Sequence, residues 1–492
     1  MKIIIVGGGI AGTSLYLHLL QHLPNPPAPY PPHELLIYES HEPKPSSSPS
    51  TSTSLSSPSS NSPESEPPTT PNLTPSTTTI GGGLALAPNG MRILARLSSE
   101  LHEAVLAQGF ANERFIFRSA RGWRLSSMPC TDARVPGEAC VSMSRMGLWE
   151  VLRGFVEASG DGEGVIRYKK VAEVGQGASG KPIVKFEDGE VEEADLVVGA
   201  DGVRSVVKKG AFGEGYAPVY MNQAGVGGFV KGPLPDEVKR EKGMVFTFGG
   251  NGFFGYGSSA SEEEESLMWW STYHTPSLPT SDDLSIPTIT TELRERHAAW
   301  KDPVIQTIIS SVADSVSSIY PTWTTPPLPH WGRNALILIG DAAHALQPTS
   351  GQGASQCLED GLTLSLILSH YLNKVYNETD ASEQSGSGVD LQATIDATAS
   401  VLYAVREPRV REISDAAKKM DRGKGDIGVV GEMVMCGFMW LFGKVPWIAQ
   451  LLFGDMNERL YAWDVDAEVK KGIAKYETEA RTESGTATAG AA

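Results

Sequence analysis

The chain has 492 residues, which is beyond the size at which single hydrophobic cores stop growing, so two or three subdomains are expected. Lysine and arginine total 41 against 58 aspartates and glutamates, and the formal net charge of −17 argues against nucleic acid or an anionic membrane as a main partner. Four cysteines (Cys130, Cys140, Cys357 and Cys436) show no CxxC or metal-ligand spacing, which predicts reduced thiols, no metal site and a reducing compartment.

The N-terminus enters a strand at Lys2 without a signal-like apolar segment and cleavage site, so a cytoplasmic location is expected. Lys2–Val6 is a short isoleucine-rich run bounded by glycines and reads as a buried first strand. Gly7, Gly9 and Gly12 then form G-x-G-x-x-G, and Thr13–Leu23 reads as the following helix. In that strand–turn–helix setting Gly7 permits the tight turn, Gly9 lets the backbone approach a pyrophosphate, and Gly12 lets helix and strand pack closely. Leu35–Glu39 reads as the second strand, and Glu39 at its end is placed to accept hydrogen bonds from ribose hydroxyls. It comes later than the usual ~20 residues, a delay that the proline-rich stretch Pro24–Pro32 explains.

Of the 34 residues Ser46–Thr79, 28 are Ser, Thr or Pro, and Leu55 and Leu73 are the only aliphatics. Such a segment buries too little apolar surface to offset its ordering entropy, which predicts a disordered insertion. Phosphorylation and a retained intron both fit this composition. Structure is expected to resume at Ile80, with a glycine-containing strand through Gly82 and Gly83, then Pro88-Asn89-Gly90 and a helix over Met91–Leu97. Phe110–Cys140 alternates aromatic, basic and polar residues and predicts antiparallel strands. Ser142–Gly154 reads as a helix with Arg145 near its start, where an ordinary surface charge is one reading. Lys181–Glu187 and Asp195–Val198 predict a hairpin and returning strand that runs into Gly199–Ser205, with Asp201 and Arg204. Tyr216–Thr324 predicts a glycine- and aromatic-rich antiparallel sheet followed by helix, with Phe253, Phe254, Tyr256, Trp269, Trp270 and Tyr273 as candidate pocket lining; alternation sends only half of them to either face.

Leu336–Ile339 reads as a buried parallel strand ending at Gly340-Asp341. Pro348 and the turn Gly351-Gln352-Gly353 follow, then a helix from Ala354 to Tyr371. A carboxylate at a strand end and a glycine turn feeding a helix N-terminus make a site for an electron-rich group. Two other G-x-G-x-x-G matches, at Gly250 and Gly423, lack the strand–turn–helix context and are read as accidental. Beyond a polar linker at Asn377–Val389, Leu391–Met420 is predicted helical and carries Arg406-Glu407-Pro408-Arg409. Met433–Phe453 is apolar but broken by Gly443, Lys444 and Pro446. Neither half reaches the ~20 residues of a membrane span; packing against the body and peripheral membrane contact are its two readings.

Gly340-Asp341-Ala342-Ala343-His344-Ala345-Leu346-Gln347-Pro348, with the later Gly-Gln-Gly and Glu359-Asp360, resembles the second flavin motif of class A flavoprotein monooxygenases, the family of p-hydroxybenzoate and salicylate hydroxylases. Gly7–Gly12 and Gly199–Ser205 match the same family in order and spacing, so the resemblance spans about residues 1–375. It implies an α/β fold, α+β overall: a glutathione-reductase-type Rossmann-like FAD domain in segments 1–100, 142–212 and 331–376, inserted substrate-domain strands in 101–141 and 213–330, and a helical region in 390–475. It also implies FAD, with NAD(P)H as co-substrate and oxygen delivered to an aromatic or polyketide-like molecule through a flavin C4a-hydroperoxide. The FAD ligands implied are Gly7, Gly9, Gly12, Glu39, Gly82, Gly83, Arg145, Asp201, Arg204, Asp341, Pro348, Gly351, Gln352 and Gly353.

Some relatives place an arginine near Gly227-Gly228 for an anionic substrate, and here that position is Gly227. Tyr256, His274 and Arg118 are the candidates for acid–base work, and each reads equally as structural. His344 reads as support for the flavin motif. A halogenase of this fold is disfavoured because WxWxIP is absent. A flavin reductase or oxidase without oxygen insertion, and a non-catalytic flavin-binding protein, are the other readings. Replacing Ser46–Thr79 by a short Gly/Ser linker is expected to leave flavin absorbance and melting temperature of the purified protein unchanged; a marked fall in either shows that the segment packs.

Overall fold

The computed structural model describes residues 1–43, 82–132, 134–135, 137–159, 164–279, 285–312, 316–381, 390–421, 427–445, 447 and 456–489. The serine- and proline-rich stretch Ser46–Thr79, with Gly81, lies outside the described residues.

A six-stranded sheet runs in the order Gly332–Arg333, Leu336–Leu338, Leu196–Gly199, Lys2–Val6, Glu34–Glu39, Ile166–Tyr168. All pairings except that of Gly332–Arg333 are parallel. Parallel strands are covered on both faces, which is why Ile3, Ile4 and Ile5 are all fully buried and the run reads as continuous rather than alternating. The helices Ile10–His22 and Gly353–Ala381 pack together against this sheet, and Leu15, Leu19, Leu358 and Leu362 fill the same core. The second helix runs past Tyr371 into the expected polar linker, and Tyr376 is buried in this extension with its ring stacked against His33.

The second body is a seven-stranded sheet in the order Val316–Thr324, Val219–Lys231, Ser266–His274, Gly252–Ser258, Gly243–Gly249, Arg114–Ser119, Arg124–Pro129. Only Gly243–Gly249 and Arg114–Ser119 pair in parallel. Helices Ile286–His297 and Pro303–Ser310 cover one face, where Phe254, Tyr256 and Trp269 form the core with Leu293 and Ile305. A small sheet, Gly83–Leu86, Cys140–Ser144 and Phe110–Asn112, joins the two bodies. Among the described residues no helix is long and apolar enough to cross a membrane, and all four cysteines are free and buried.

The helix Leu391–Asp421, first of the C-terminal region, is fastened to Gly353–Ala381 by buried ions. Arg406 reaches Asp360 Oδ1 through Nε at 2.8 Å and Glu359 Oε2 through Nη1 at 2.6 Å. Arg409 meets both oxygens of Glu359 at 2.7 Å and gives its remaining donors to the carbonyls of Arg459 and Leu460. Both guanidinium groups lie against the Trp463 ring. Four buried charges are tolerated because nearly every donor is used, and removing one partner strands the rest. Arg406→Met is therefore expected to lower unfolding free energy by about 3–5 kcal/mol, whereas Arg459→Ala, which breaks the exposed pair with Glu412, is expected to cost about 0–1 kcal/mol. Urea unfolding of both variants measures the contrast.

Candidate functional site

Parallel pairing brings four chain segments to one sheet edge. The register sets Val6 beside Gly199 and Tyr38, and Gly199 beside Leu338. Gly7, Glu39, Asp201 and Asp341, which follow or end those strands, therefore crowd together at their carboxyl ends, where open α/β sheets bind ligands. Gly7 has φ +105°, and a Cβ there would stand 2.4 Å from the Ala200 carbonyl oxygen. A Cβ on Gly12 would stand 1.9 Å from the Gly7 carbonyl oxygen, so turn and helix close only without side chains. Gly9 is the residue before the helix, and no side chain caps that helix start, which leaves its first N–H groups facing the edge.

The Glu39 carboxylate accepts from the Gly8 N–H at 2.8 Å and from the His41 N–H at 3.0 Å. The Trp149 indole, unsuspected in the sequence, donates to the Gly8 carbonyl at 2.7 Å and holds the turn from the other side. Asp201 Oδ2 caps the helix Val206–Phe212 through the Val206 N–H at 2.7 Å, while its buried Oδ1 has no partner. Burial raises the Asp201 pKa, opposed by its hydrogen bonds. Arg204 lies over the Trp323 ring at 5.5 Å. Lys208, also missed in the sequence, is buried with Nζ on the Val203 carbonyl; burial lowers its pKa, and the charges of Asp201 and Asp341 oppose that.

Asp341 begins the short helix Asp341–His344, and its carboxylate takes no hydrogen bond or ion pair among the described residues. Its placement is indirect. Asp360 Oδ2 accepts from the Gly340 N–H at 2.8 Å and pairs with His344 Nε2 at 2.6 Å. Burial would raise the Asp360 carboxyl, but His344 and Arg406 outweigh it and hold the pKa at about 2. Thr325 Oγ1 donates to the Asp341 carbonyl and accepts from the Ala345 N–H, which ties this turn to the other sheet. Pro348 opens the turn Pro348–Ser350, and Gly351 takes the left-handed conformation at φ +59°. Gln352 is buried, with Oε1 accepting from Asn89 Nδ2 at 3.1 Å, and Asn89 in turn donates to Glu359 at 2.7 Å. Gly353 starts the long helix, so its N–H group belongs to the unpaired first turn.

The seven-stranded sheet approaches this edge with its uncovered face. A Cβ on Gly83 would stand 2.4 Å from the Met268 sulfur, and the Gly82 carbonyl accepts from the Arg145 N–H. The Arg145 guanidinium has no hydrogen bond or ion pair among the described residues. Burial raises the Tyr320 hydroxyl and the Cys357 thiol, and in both cases the Arg145 charge opposes the shift, which sets Arg145 between the two bodies. By strand alternation Phe115, Phe117, Phe246, Phe253 and Trp270 share the face of Met268. Phe246 is ringed by the other four at centroid distances of 5.4–6.1 Å.

The same alternation turns Phe254, Tyr256, Trp269 and Tyr273 to the helix-covered face. Two of the acid–base candidates are on that far side. Arg118 pairs with Glu237 at 2.5 Å and with Asp302 at 3.3 Å, and the Tyr256 hydroxyl donates to Asp302 at 3.3 Å. Burial, with the charges of Asp302 and Glu237 adding to it, pushes the Tyr256 pKa far up. These groups are engaged in domain packing and face away from Gly83. His274 ends its strand and is exposed.

The arrangement fits a dinucleotide cofactor with an electron-accepting ring. An orphan carboxylate oxygen on Asp201, an unengaged Asp341, a glycine cradle and two free helix starts converge on one edge, and an aromatic wall stands across from it. A family model described as an FAD binding domain matches residues 131–380, half of the chain. The aurachin C monooxygenase/isomerase of Stigmatella aurantiaca is 28% identical over 293 residues, covering 59% of this chain and 71% of that protein. The 6-hydroxynicotinate 3-monooxygenase of Pseudomonas fluorescens is 28% identical over 312 residues, covering 60% and 74%. The crystal structure of Klebsiella pneumoniae HpxO complexed with FAD and uric acid superposes with a TM-score of 0.62 at 18% identity over 97% of this chain and 96% of that one, a likeness of fold. The chain belongs to the FAD binding domain family and, within it, to the class A FAD-dependent monooxygenases.

Proposed function

We propose that this FAD-dependent monooxygenase hydroxylates or epoxidises an uncharged aromatic or polyketide-like molecule, held between the flavin ring and the wall around Phe246. The observation that carries this reading is that wall: aromatic, facing Gly83 through Met268, and only partly buried at Phe115, Phe117, Phe246 and Trp270. Arg114 and Arg118 turn to the opposite face by alternation, and Gly227 stands opposite Trp270 on the near face. An anionic substrate would find no cation on that part of the wall. Aromatic side chains favour a flat ring by offset stacking and edge contacts.

Bound FAD, reduced by NAD(P)H, supplies activation of O₂ and transfer of one oxygen atom. The chain's part is to hold and to exclude water. Gly7, Gly9 and Gly12 would take the pyrophosphate, Glu39 the adenosine ribose, and Asp201 Oδ1 and Asp341 the ribityl hydroxyls. Arg145 and Arg204 would face the phosphates, and Gly82 and Gly83 would let the ring lie close to the backbone. The turn Pro348–Gly353 and the helix start behind it would favour negative charge at the flavin N1/O2 side. His274 remains the acid–base candidate nearest the substrate face. A cytoplasmic setting fits the free thiols.

Asp341→Ala separates holding from folding. Loss of a charged hydrogen bond is worth about 1.5–3 kcal/mol, so FAD retention on dilution is expected to fall by at least tenfold. The apo-protein melting temperature is expected to stay put, because the Asp341 carboxylate takes no hydrogen bond or ion pair among the described residues; full flavin occupancy in the variant sinks the assignment. For the reaction, NAD(P)H oxidation is expected to be slow alone and faster with an uncharged aromatic ligand, and the product is expected to carry ¹⁸O from ¹⁸O₂. Equal rates with and without ligand, and no label in any product, would make a flavin reductase or oxidase the better reading.

A further inference from the structure

Helix Gly428–Lys444 carries its apolar residues outward, the reverse of a surface helix. Val430 is 79% exposed, Phe438 56% and Trp440 51%, and Trp447 just beyond the helix is 65% exposed. Met433 and Val434 lie on the same outer side. Its one carboxylate, Glu432, is buried and paired with Arg121 at 3.1 Å, so the outer side bears no negative charge, and Lys444 ends the helix. The neighbouring edge of the seven-stranded sheet extends the patch through exposed Trp123 and Met128. Contiguous apolar surface of this kind marks an interaction site.

The inner side of the helix fixes where the patch sits. A Cβ on Gly443 would stand 2.4 Å from the Ser126 Cβ, and Ser126 pairs with Phe117 on the aromatic face. At the other end the Ile427 N–H donates to the Gly250 carbonyl at 2.9 Å. The helix thus lies over the rim of the wall around Phe246.

We propose that Gly428–Lys444 seats the enzyme on a neutral phospholipid surface, with the rim of the aromatic wall turned to the bilayer so that a lipophilic substrate enters from it. Charge chooses the occupant. Two copies joined at this patch would each bring a net charge of −17, whereas a zwitterionic surface has no such repulsion. Outward tryptophans with a terminal lysine are the side chains that settle at a bilayer interface. Entry of substrate rests on the hydroxylase reading; seating does not, and is scored without turnover.

The test is flotation of the full-length, flavin-loaded protein with phosphatidylcholine vesicles, followed by flavin absorbance. Wild type is expected to float, and Val430→Glu/Phe438→Glu to lose at least tenfold of the bound fraction while keeping its flavin and melting temperature, since both side chains are exposed. Added phosphatidylserine is expected to weaken binding. Wild type left at the bottom, equal flotation of the double variant, or binding only with phosphatidylserine each overturns the proposal. So does a dimer by light scattering that the double variant splits, with no flotation of either, because a second copy then covers the patch.

Discussion

A buried ion cluster governs where Asp341 and Gln352 stand. Arg406 fixes Asp360, Asp360 fixes the Gly340 N–H, and Gly340 hands the chain to Asp341. In parallel, Arg409 fixes Glu359, Glu359 fixes Asn89, and Asn89 fixes Gln352 beside Gly353. Two arginines on one helix thereby position two turns and the start of a third element. Ions this deep add little net stability over an apolar replacement, but they allow few alternative arrangements of their partners. A binding edge built from distant segments depends on that restriction, because a small misplacement of its groups is costly.

The seven-stranded sheet divides its chemistry by face. One side carries Arg118, Glu237, Asp302 and Tyr256 in a closed polar cluster under two helices. The other carries phenylalanines, methionine and tryptophan with glycines between them. Period-two alternation makes this segregation possible without any change in composition along the strand. The polar cluster locks helix Pro303–Ser310, whose first turn Asp302 caps at 2.9 Å, and leaves Phe115, Phe117, Phe246, Phe253 and Trp270 together on the opposite side.

What was legible in the sequence was local. Lys2–Val6 followed by glycines, Leu336–Ile339 followed by Gly340-Asp341, and the apolar spacing after Gly353 each need only neighbours to be read, and each element formed. The glutathione-reductase-type fold was what the resemblance of Gly7–Gly12, Gly199–Ser205 and the Gly340-Asp341 stretch to class A flavoprotein monooxygenases implied. Long-range pairing left no local sign. Arg406 and Glu359 are 47 residues apart on separate helices, and although both stretches stood out, nothing in either named the other. The face on which Tyr256 or Arg118 falls depends on strand register, which a one-residue shift reverses, so their far-side placement was not readable either. Trp149 and Lys208 were hidden for the same reason: each acts on a backbone carbonyl, which has no identity in a sequence.

The thiols give the fold a chemical durability. Enzymes that activate oxygen on a flavin release hydrogen peroxide whenever the oxygen atom finds no acceptor, and peroxide attacks thiolates. Cys357 packs against Gly340, one residue before Asp341, yet burial keeps its thiol protonated, with Asp341 and Asp360 adding to the effect. Cys140, through its hydrogen bond to Cys130 and its burial, and Cys436, through burial and Glu432, are shifted the same way. A thiol held neutral is a poor nucleophile. The packing that builds this sheet edge thus also leaves these three thiols poor targets for peroxide.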